Sequence, residues 1–268
     1  MNYATLSKRY EPSTLNAMLA RAEQTLAQRL LRERISTDYE LFGSERLKIR
    51  AKSGATVSLI FNRAQQFLHQ KLEQQRQATG KVRALILKGR QQGCSTYVGG
   101  RFYHRVINGK GQRAFILTHE DQATQNLFDM VKRFHEHMPE DERAITGLAN
   151  AKELIFDQLD GGYKVGTAGT KGIGRSATIQ LFHVSEVGFW PHADTHAAGV
   201  LQAVPDESGT EVILESTANG LGNFFHRTWR DAEVGATDFC AIFIPWFWQE
   251  EYRKSIPEAF ALHDDETE

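Results

Sequence analysis

From residue 84 onward, short apolar runs alternate with longer amphipathic stretches, and this alternation constrains the fold more than any other feature. Residues 84–87, 114–118, 179–184, 212–214 and 241–244 are apolar runs of three to six residues, short for helices and long enough for strands. Residues 95–108 and 122–137 carry helical spacing, the second closed by Pro139. Residues 154–156 and 163–165 read as a hairpin around Asp160-Gly161-Gly162. Short apolar strands separated by helices predict an α/β fold, with a mainly parallel central sheet flanked by helices. Upstream, Leu15, Met18, Leu19, Ala22, Leu26 and Leu30 recur at helical steps, which predicts an N-terminal helical extension started by Pro12-Ser13-Thr14. Its apolar stripe is expected to pack on the core or on a partner. Residues 47–51 and 56–60 form a hairpin pattern around Lys52-Ser53-Gly54-Ala55, and a polar helix over 63–77 leads through Gly80 into the first buried strand.

At 268 residues and 41% hydrophobic, the chain can bury one substantial core. Cys94 and Cys240 suggest a reducing compartment and no disulfide framework. The N-terminus carries no apolar signal segment, and no run approaches the roughly 20 apolar residues that span a bilayer. The expectation is a soluble intracellular protein with no membrane partner. A net charge of −1 gives no global attraction to nucleic acid. Locally, however, residues 81–113 carry eight Lys/Arg and no acid, which points to an anion there. Residues 249–268 carry seven acids against two bases, as a solvated tail would. The ten histidines have no metal-ligand spacing, and the aromatic cluster at 243–248 reads as packing.

The stretch KGRQQGCSTYVGG (88–100) follows the first buried strand and opens a helix. A P-loop, or Walker A motif, reads G-x-x-x-x-G-K-[ST], its backbone amides cradling phosphate at a helix N-terminus. With Gly93 as the second glycine, Ser95 takes the position of the Mg²⁺-binding hydroxyl, and Cys94 replaces the lysine. Five residues before Gly93 stands Lys88, where the first glycine belongs, and Arg90 adds a second cation. The loop of Lys88, Gly89, Arg90, Gln91, Gln92, Gly93, Cys94, Ser95 and Thr96 therefore reads as an ATP-binding loop whose charge has moved to its other end. A glycine-containing turn with incidental basic residues is the alternative.

About 90 residues further on, the apolar run 179–184 ends in Ser185-Glu186. An ATPase of this kind carries a residue of the Mg²⁺ shell there, normally Asp, followed by a Glu that polarises the attacking water. Ser185 would take the first role and Glu186 the second, at the carboxyl end of a central strand where ligands of open α/β sheets gather. A capping or exposed Glu is the alternative. A third run, 212–214, leads into Glu215-Ser216-Thr217-Ala218-Asn219-Gly220, where Ser216, Thr217 and Asn219 would sense the γ-phosphate or merely form an Asn-Gly turn.

KGRQQGCST (88–96), FILTHEDQA (115–123), GTAGTKGIGRS (166–176), LFHVSEVGFW (181–190) and LESTANG (214–220) together resemble the N-terminal ATPase domain of the large terminase subunit of tailed bacteriophages. FNRAQQF (61–67) is similar to the family's upstream adenine-recognition segment. The resemblance implies a P-loop NTPase core of the RecA-like (ASCE) kind over residues 47–250, preceded by the extension at 1–46. It implies an ATP hydrolase that uses ATP and Mg²⁺ to translocate double-stranded DNA into a procapsid. Lys88 and Arg90 would be the catalytic phosphate contacts and Glu186 the base. Ser95 and Ser185 would serve the metal, and Ser216, Thr217 and Asn219 would couple hydrolysis to movement. Gln65, with Asn62 nearby, would read adenine or stand as surface amides. Arg175 would be an arginine finger for a neighbouring subunit, with Arg101, Arg105 and Arg227 as alternatives. The implied partners are DNA, portal protein, the small terminase subunit and a homo-oligomeric ring, and the implied place is the cytoplasm of the infected host, docked on the procapsid. Family members carry a second, RNase-H-like nuclease domain. Here residues 251–268 resemble the start of the linker toward it, so nuclease activity is not expected of this chain. A helicase-like ATPase and a nucleotide-binding scaffold with a decayed loop are the competing readings.

Overall fold

The seven-residue strand β3 (Val82–Lys88) lies inside an eight-stranded sheet ordered β10-β3-β9-β8-β4-β7-β6-β5. A computed structural model describes residues 11–168, 178–194, 199 and 201–255. Successive residues of β3 face opposite ways. Ala84 and Ile86 join Tyr97, Phe102, Phe128 and Phe134 in one core layer, and Leu85 joins Phe115, Phe182, Leu214 and Phe225 in the other. Burial on both faces explains why the strand reads as a continuous apolar run rather than an alternating one. β4 (Arg113–Thr118), β7 (Gly161–Thr167), β8 (Leu181–Ser185), β9 (Glu211–Ser216) and β10 (Cys240–Ile244) run parallel to it. β6 (Glu153–Phe156) and β5 (Leu148–Ala149) add an antiparallel edge. The fold is the expected α/β type with a mostly parallel sheet.

Helices α4 (Cys94–Asn108) and α5 (Asp121–Glu136) cover the first layer together with α3 (Arg63–Thr79), and a small hairpin of β1 (Lys48–Arg50) and β2 (Thr56–Ser58) lies upstream. The second layer receives α6 (Phe224–Glu233) through Phe225 and Trp229. The sequence pattern did not announce α6, although Asn223 caps it by accepting from the His226 amide at 2.9 Å.

The N-terminal extension divides in two. Helix α1 (Pro12–Thr37) buries only Leu15 and Ile35, whereas Met18, Leu19, Leu26, Leu30 and Leu31 stay exposed. Helix α2 (Tyr39–Arg46) instead inserts Tyr39 and Phe42 into the first core layer. The aromatic cluster at 243–248 also differs from the packing expectation. Phe243, Trp246 and Phe247 are about half exposed, Trp246 and Phe247 meeting edge-on, and Trp248 packs edge-on against Phe67 of α3. Among the described residues, no helix is long and apolar enough to cross a membrane.

The basic block is a larger correction. Lys81 pairs with Asp206 and Asp238, Arg83 with Asp206, Arg113 with Asp160, and Arg101 and Arg105 with Glu211. Much of this charge is paired with acids distant in sequence, Arg101 and Arg105 with buried Glu211 in the interior and Lys81 and Arg113 with exposed aspartates at the surface. The block as a whole is therefore not an anion site.

Acid should weaken the fold early. His104 is buried, donates from Nε2 to the Ile35 carbonyl at 3.0 Å, and is surrounded by Arg101, Arg105 and Asp38. Burial, aided by the two arginines, lowers its pKa from 6.5 to about 4. Burial likewise lowers His69 and His135. Below the unfolded pKa of 6.5 the unfolded chain takes up a proton that folded His104 refuses, so stability is lost as pH falls from 6.5 to about 4. The shift corresponds to about 3 kcal/mol. Burial opposes ionisation of Glu73, but its pairs with Arg76 and Arg101 outweigh this and hold it at about 2, so its contribution fades between 4.5 and about 2. Urea midpoints at pH 7.5, 5.5 and 4.5 should fall steadily, and His104→Asn should flatten the upper part of that decline. A midpoint constant from pH 7.5 to 4.5 would refute this account.

Candidate active site

The loop between β3 and α4 is held by amide side chains. Asn62 and Gln65 form a reciprocal cap at the start of α3, the Asn62 Oδ1 accepting from the Gln65 amide at 2.9 Å and the Gln65 Oε1 from the Asn62 amide at 3.0 Å. Their remaining N–H groups reach the loop. Asn62 Nδ2 donates to the Gln92 carbonyl at 3.2 Å, and Gln65 Nε2 to the Gly93 carbonyl at 2.9 Å. Gln92, 1% exposed, accepts from the Gly89 amide at 2.8 Å and donates to the Pro245 carbonyl at 2.6 Å. The Gly93 carbonyl also accepts the Tyr97 amide at 2.9 Å in the first turn of α4, and the amides at the start of that helix have no intrahelical acceptor, which leaves them able to cradle an anion.

Gly93 caps α4 at φ 78°, and a Cβ there would stand 2.7 Å from Gln65 Nε2. Gly93→Ala is therefore expected to cost about 1–2 kcal/mol through the left-handed backbone. It should also displace the Gln65 amide, and an unchanged thermal midpoint would count against this geometry.

Cys94 is 2% exposed within the first core layer, and burial pushes its thiol pKa up. It fills space and offers no thiolate. Lys88, by contrast, extends from the end of β3 to place Nζ 2.8 Å from Glu186 Oε1 and 3.9 Å from Glu215 Oε2. Burial works against its charge, but Glu215 and Glu186 outweigh it and hold the ammonium above its ordinary pKa.

Glu186 follows β8 in a left-handed conformation at φ 52°. Its Oε2 accepts from the Thr217 amide at 3.1 Å and from the Thr217 hydroxyl at 3.2 Å. Ser216 Oγ accepts from the Gly188 amide at 3.1 Å, and Asn219 Nδ2 donates to the Gly188 carbonyl at 2.8 Å. The ends of β8 and β9 are thus tied through the turn after Glu186. A shift of either end would move the Glu186 carboxylate.

Sequence reasoning did not assign Glu215, yet this carboxylate is fully buried among the expected residues. It accepts from Ser95 Oγ at 2.5 Å and from His183 Nε2 at 2.9 Å. Burial raises its pKa, but Lys88, His183 and Ser95 more than reverse this and hold it at about 2. The available signal was an acid closing an apolar run, as Glu186 closes the preceding one.

The tertiary structure brings Lys88, Ser95, Glu186, Ser216, Thr217 and Asn219 together at the carboxyl ends of the neighbouring strands β3, β9 and β8. Ser185 lies in the same layer as the cross-strand partner of Glu215. Arg90 is exposed, has no acid partner among the described residues, and is held through its carbonyl by the Tyr252 hydroxyl at 2.9 Å. Both amide ends of Gln65 face the capping box and the loop, an arrangement that braces the loop. Arg175 lies outside the described residues. Of the other finger candidates, Arg101 and Arg105 are ruled out by their pairs with buried Glu211, whereas Arg227 is half exposed and pairs with Asp194.

No protein-family model and no curated protein matches this sequence. In fold, the chain is similar to the large terminase of bacteriophage HK97, with a TM-score of 0.64 at 13% identity over 78% of this chain and 43% of that one. It is also similar to the large terminase from a thermophilic bacteriophage, with a TM-score of 0.56 at 11% identity over 72% and 48%. The same thermophilic-phage protein in complex with ADP gives 0.55 at 10% identity over 72% and 48%, and in complex with ATP-γ-S 0.52 at 12% over 72% and 47%. The chain spans less than half the length of these relatives, and it has the α/β fold they share.

Proposed function

We propose that this chain is the ATP-hydrolysing motor unit of a large terminase, which drives double-stranded DNA into a procapsid. The observation that carries the reading is the meeting of Lys88, Glu186 and Thr217 beside the amide cradle, with Lys88 Nζ 2.8 Å from the Glu186 carboxylate. The fold shared with the HK97 and thermophilic-phage large terminases, the latter also solved with ADP and ATP-γ-S, supports it. Residues 47–250 form the ATPase unit in this reading, 1–46 an extension docked through α2, and 251–268 the beginning of a linker.

The amides of residues 89–96 bind the phosphates, and the Lys88 and Arg90 side chains supply the cationic charge that Cys94 does not. Lys88 leaves Glu186 for the phosphate oxygens, which frees the carboxylate to accept a proton from water as that water attacks the γ-phosphorus. The bond to the β,γ-bridging oxygen breaks, releasing ADP and phosphate. The residues present fit a hard cation, since the Ser95 hydroxyl stands beside carboxylate oxygen at the cradle. Among the described residues no group of three or more His, Cys, Asp or Glu makes a metal cage, so Mg²⁺ would enter with the nucleotide. When bound, Mg²⁺ neutralises developing charge on the β- and γ-oxygens. Asn62 and Gln65 brace the loop, and Ser216, Thr217 and Asn219 transmit Glu186 movement to β9.

An isolated chain should hydrolyse ATP weakly, because in this reading the arginine finger comes from a neighbouring copy in a ring. That finger is Arg175, or Arg227 on the geometry above. Portal protein and the small terminase subunit complete the assembly on the procapsid, in the host cytoplasm. DNA binding is expected to be sequence-independent and to weaken with salt. The test is Mg²⁺-dependent ATP hydrolysis by the purified chain and by Lys88→Ala and Arg90→Ala. Loss of the Lys88 charge should lower kcat/KM about 100-fold, the scale of one preorganised electrostatic contact. Wild-type turnover in both variants would refute the relocated charge, and no hydrolysis by the parent chain would favour a nucleotide-binding scaffold.

A further inference from the structure

Resting on the reading of these strand ends as a Mg²⁺–nucleotide site, we infer that Glu215 is the positioning carboxylate of the metal shell, replacing on β9 the acid that β8 lacks at Ser185. Three observations converge on it. First, Ser185 and Glu215 are direct partners in the parallel β8–β9 ladder, and Glu215 also pairs in register with Ile86 of β3. Moving the acid from β8 to β9 therefore brings it one strand closer to the phosphate-loop strand without removing it from the layer.

Second, Glu215 accepts the Ser95 hydroxyl proton at 2.5 Å. A hydroxyl has one donor and two lone pairs. With its proton directed at Glu215, Ser95 Oγ keeps its lone pairs for a cation, which is how an outer carboxylate orients a metal-binding side chain. His183 Nε2, 2.9 Å away on the same carboxylate oxygen, gives that oxygen a second anchor.

Third, the other oxygen, Glu215 Oε2, is fully buried with no hydrogen-bond partner among the described residues, and Lys88 Nζ stands 3.9 Å from it. An unsatisfied buried carboxylate oxygen is costly. A hydrated cation held by Ser95 offers water donors to that oxygen. The same approach lets Lys88 turn from the two glutamates to phosphate while the local charge stays balanced.

The test measures nucleotide affinity rather than turnover. Binding of ATP-γ-S is titrated with Mg²⁺ and, separately, in EDTA, for the wild type, Glu215→Gln, and Ser185→Asp/Glu215→Gln. Glu215→Gln should raise the Mg²⁺ midpoint roughly 10- to 100-fold, the range for losing an outer-shell partner, while the affinity in EDTA holds or rises, since Lys88 is freed of one competing charge. Ser185→Asp/Glu215→Gln should recover most of the loss, since it returns the acid to β8. An unchanged Mg²⁺ midpoint in Glu215→Gln, an equal loss with and without Mg²⁺, or no recovery in the double variant overturns the proposal. If Glu215→Gln does not fold, Ser95→Ala takes its place, because it removes the link while leaving Glu215 with His183. Its Mg²⁺ midpoint must rise at least about ten-fold, and an unchanged value overturns the proposal. A wild-type chain that binds no nucleotide under either condition refutes the nucleotide-site reading, and this inference with it.

Discussion

Exchanging Glu186 for Gln is expected to lower ATP turnover about 100- to 10,000-fold, the span attributed to a positioned general base, while nucleotide binding persists. The carboxylate is poised by both ends of its environment. One oxygen pairs with Lys88 at 2.8 Å, and the other accepts from the Thr217 amide and hydroxyl at 3.1 and 3.2 Å. Glutamine has nearly the same shape, but it cannot take a proton from water, and it has only one acceptor oxygen for these donors. Lys88 also loses the charge that competes with phosphate for it, so ATP affinity should hold or rise. Turnover and ATP-γ-S binding measured on the same preparation separate the two effects. Turnover within a few-fold of the wild type would remove Glu186 from the chemistry.

A second large effect should emerge in stability rather than activity. Glu211→Gln is expected to destabilise the fold by about 3–5 kcal/mol, the usual consequence of removing one partner from a buried ion pair. Glu211 receives Arg101 through Nε at 2.7 Å and Nη2 at 3.0 Å, and Arg105 through Nη1 at 2.6 Å. Side-chain exposure is 1% for Glu211 and 3% for Arg101, so water cannot replace the lost contact. Burial opposes ionisation at both groups, but the mutual contacts win, lowering Glu211 and raising Arg101. Arg101 would retain Glu73 at 2.7 Å, which keeps the loss short of a fully stranded charge. Exchanging both partners, as Glu211→Leu/Arg101→Met, should recover part of the stability, because the fully buried guanidinium is removed, Glu73 keeps Arg76, and the quarter-exposed Arg105 can turn to water. Urea unfolding of the wild type and both variants decides the matter, and a loss below about 1 kcal/mol for Glu211→Gln would mean that the pair is far better hydrated than its burial indicates.

The local features of this site were legible before any tertiary structure. Gly93 and Ser95 stand at the start of a helix, Lys88 ends an apolar strand, and Glu186 ends another. Each of these is a statement about a few neighbouring residues and their backbone preferences. The boundaries of β3, α4, β4 and α5 fall close to the apolar and helical patterns for the same reason. Helix α6 was passed over because its ten residues carry two arginines, a histidine and two acids around a narrow apolar stripe. The basic block misled because charge counted along the chain ignores acids that arrive from elsewhere, as Glu211 does at Arg101.

The sequence alone thus determined an α/β chain with a glycine-containing turn between a buried strand and a helix, a lysine closing that strand and Glu186 following another, because strand burial and helix caps depend on contiguous residues. Only the tertiary structure decided which charges are neutralised, and that Glu215 rather than Ser185 is the acid at Ser95. Parallel pairing places β9 between β3 and β8, bringing residues 95, 183 and 215 together from distant parts of the chain. That strand order follows from how the helices pack on the two faces of the sheet, a long-range choice that hydrophobic periodicity does not encode.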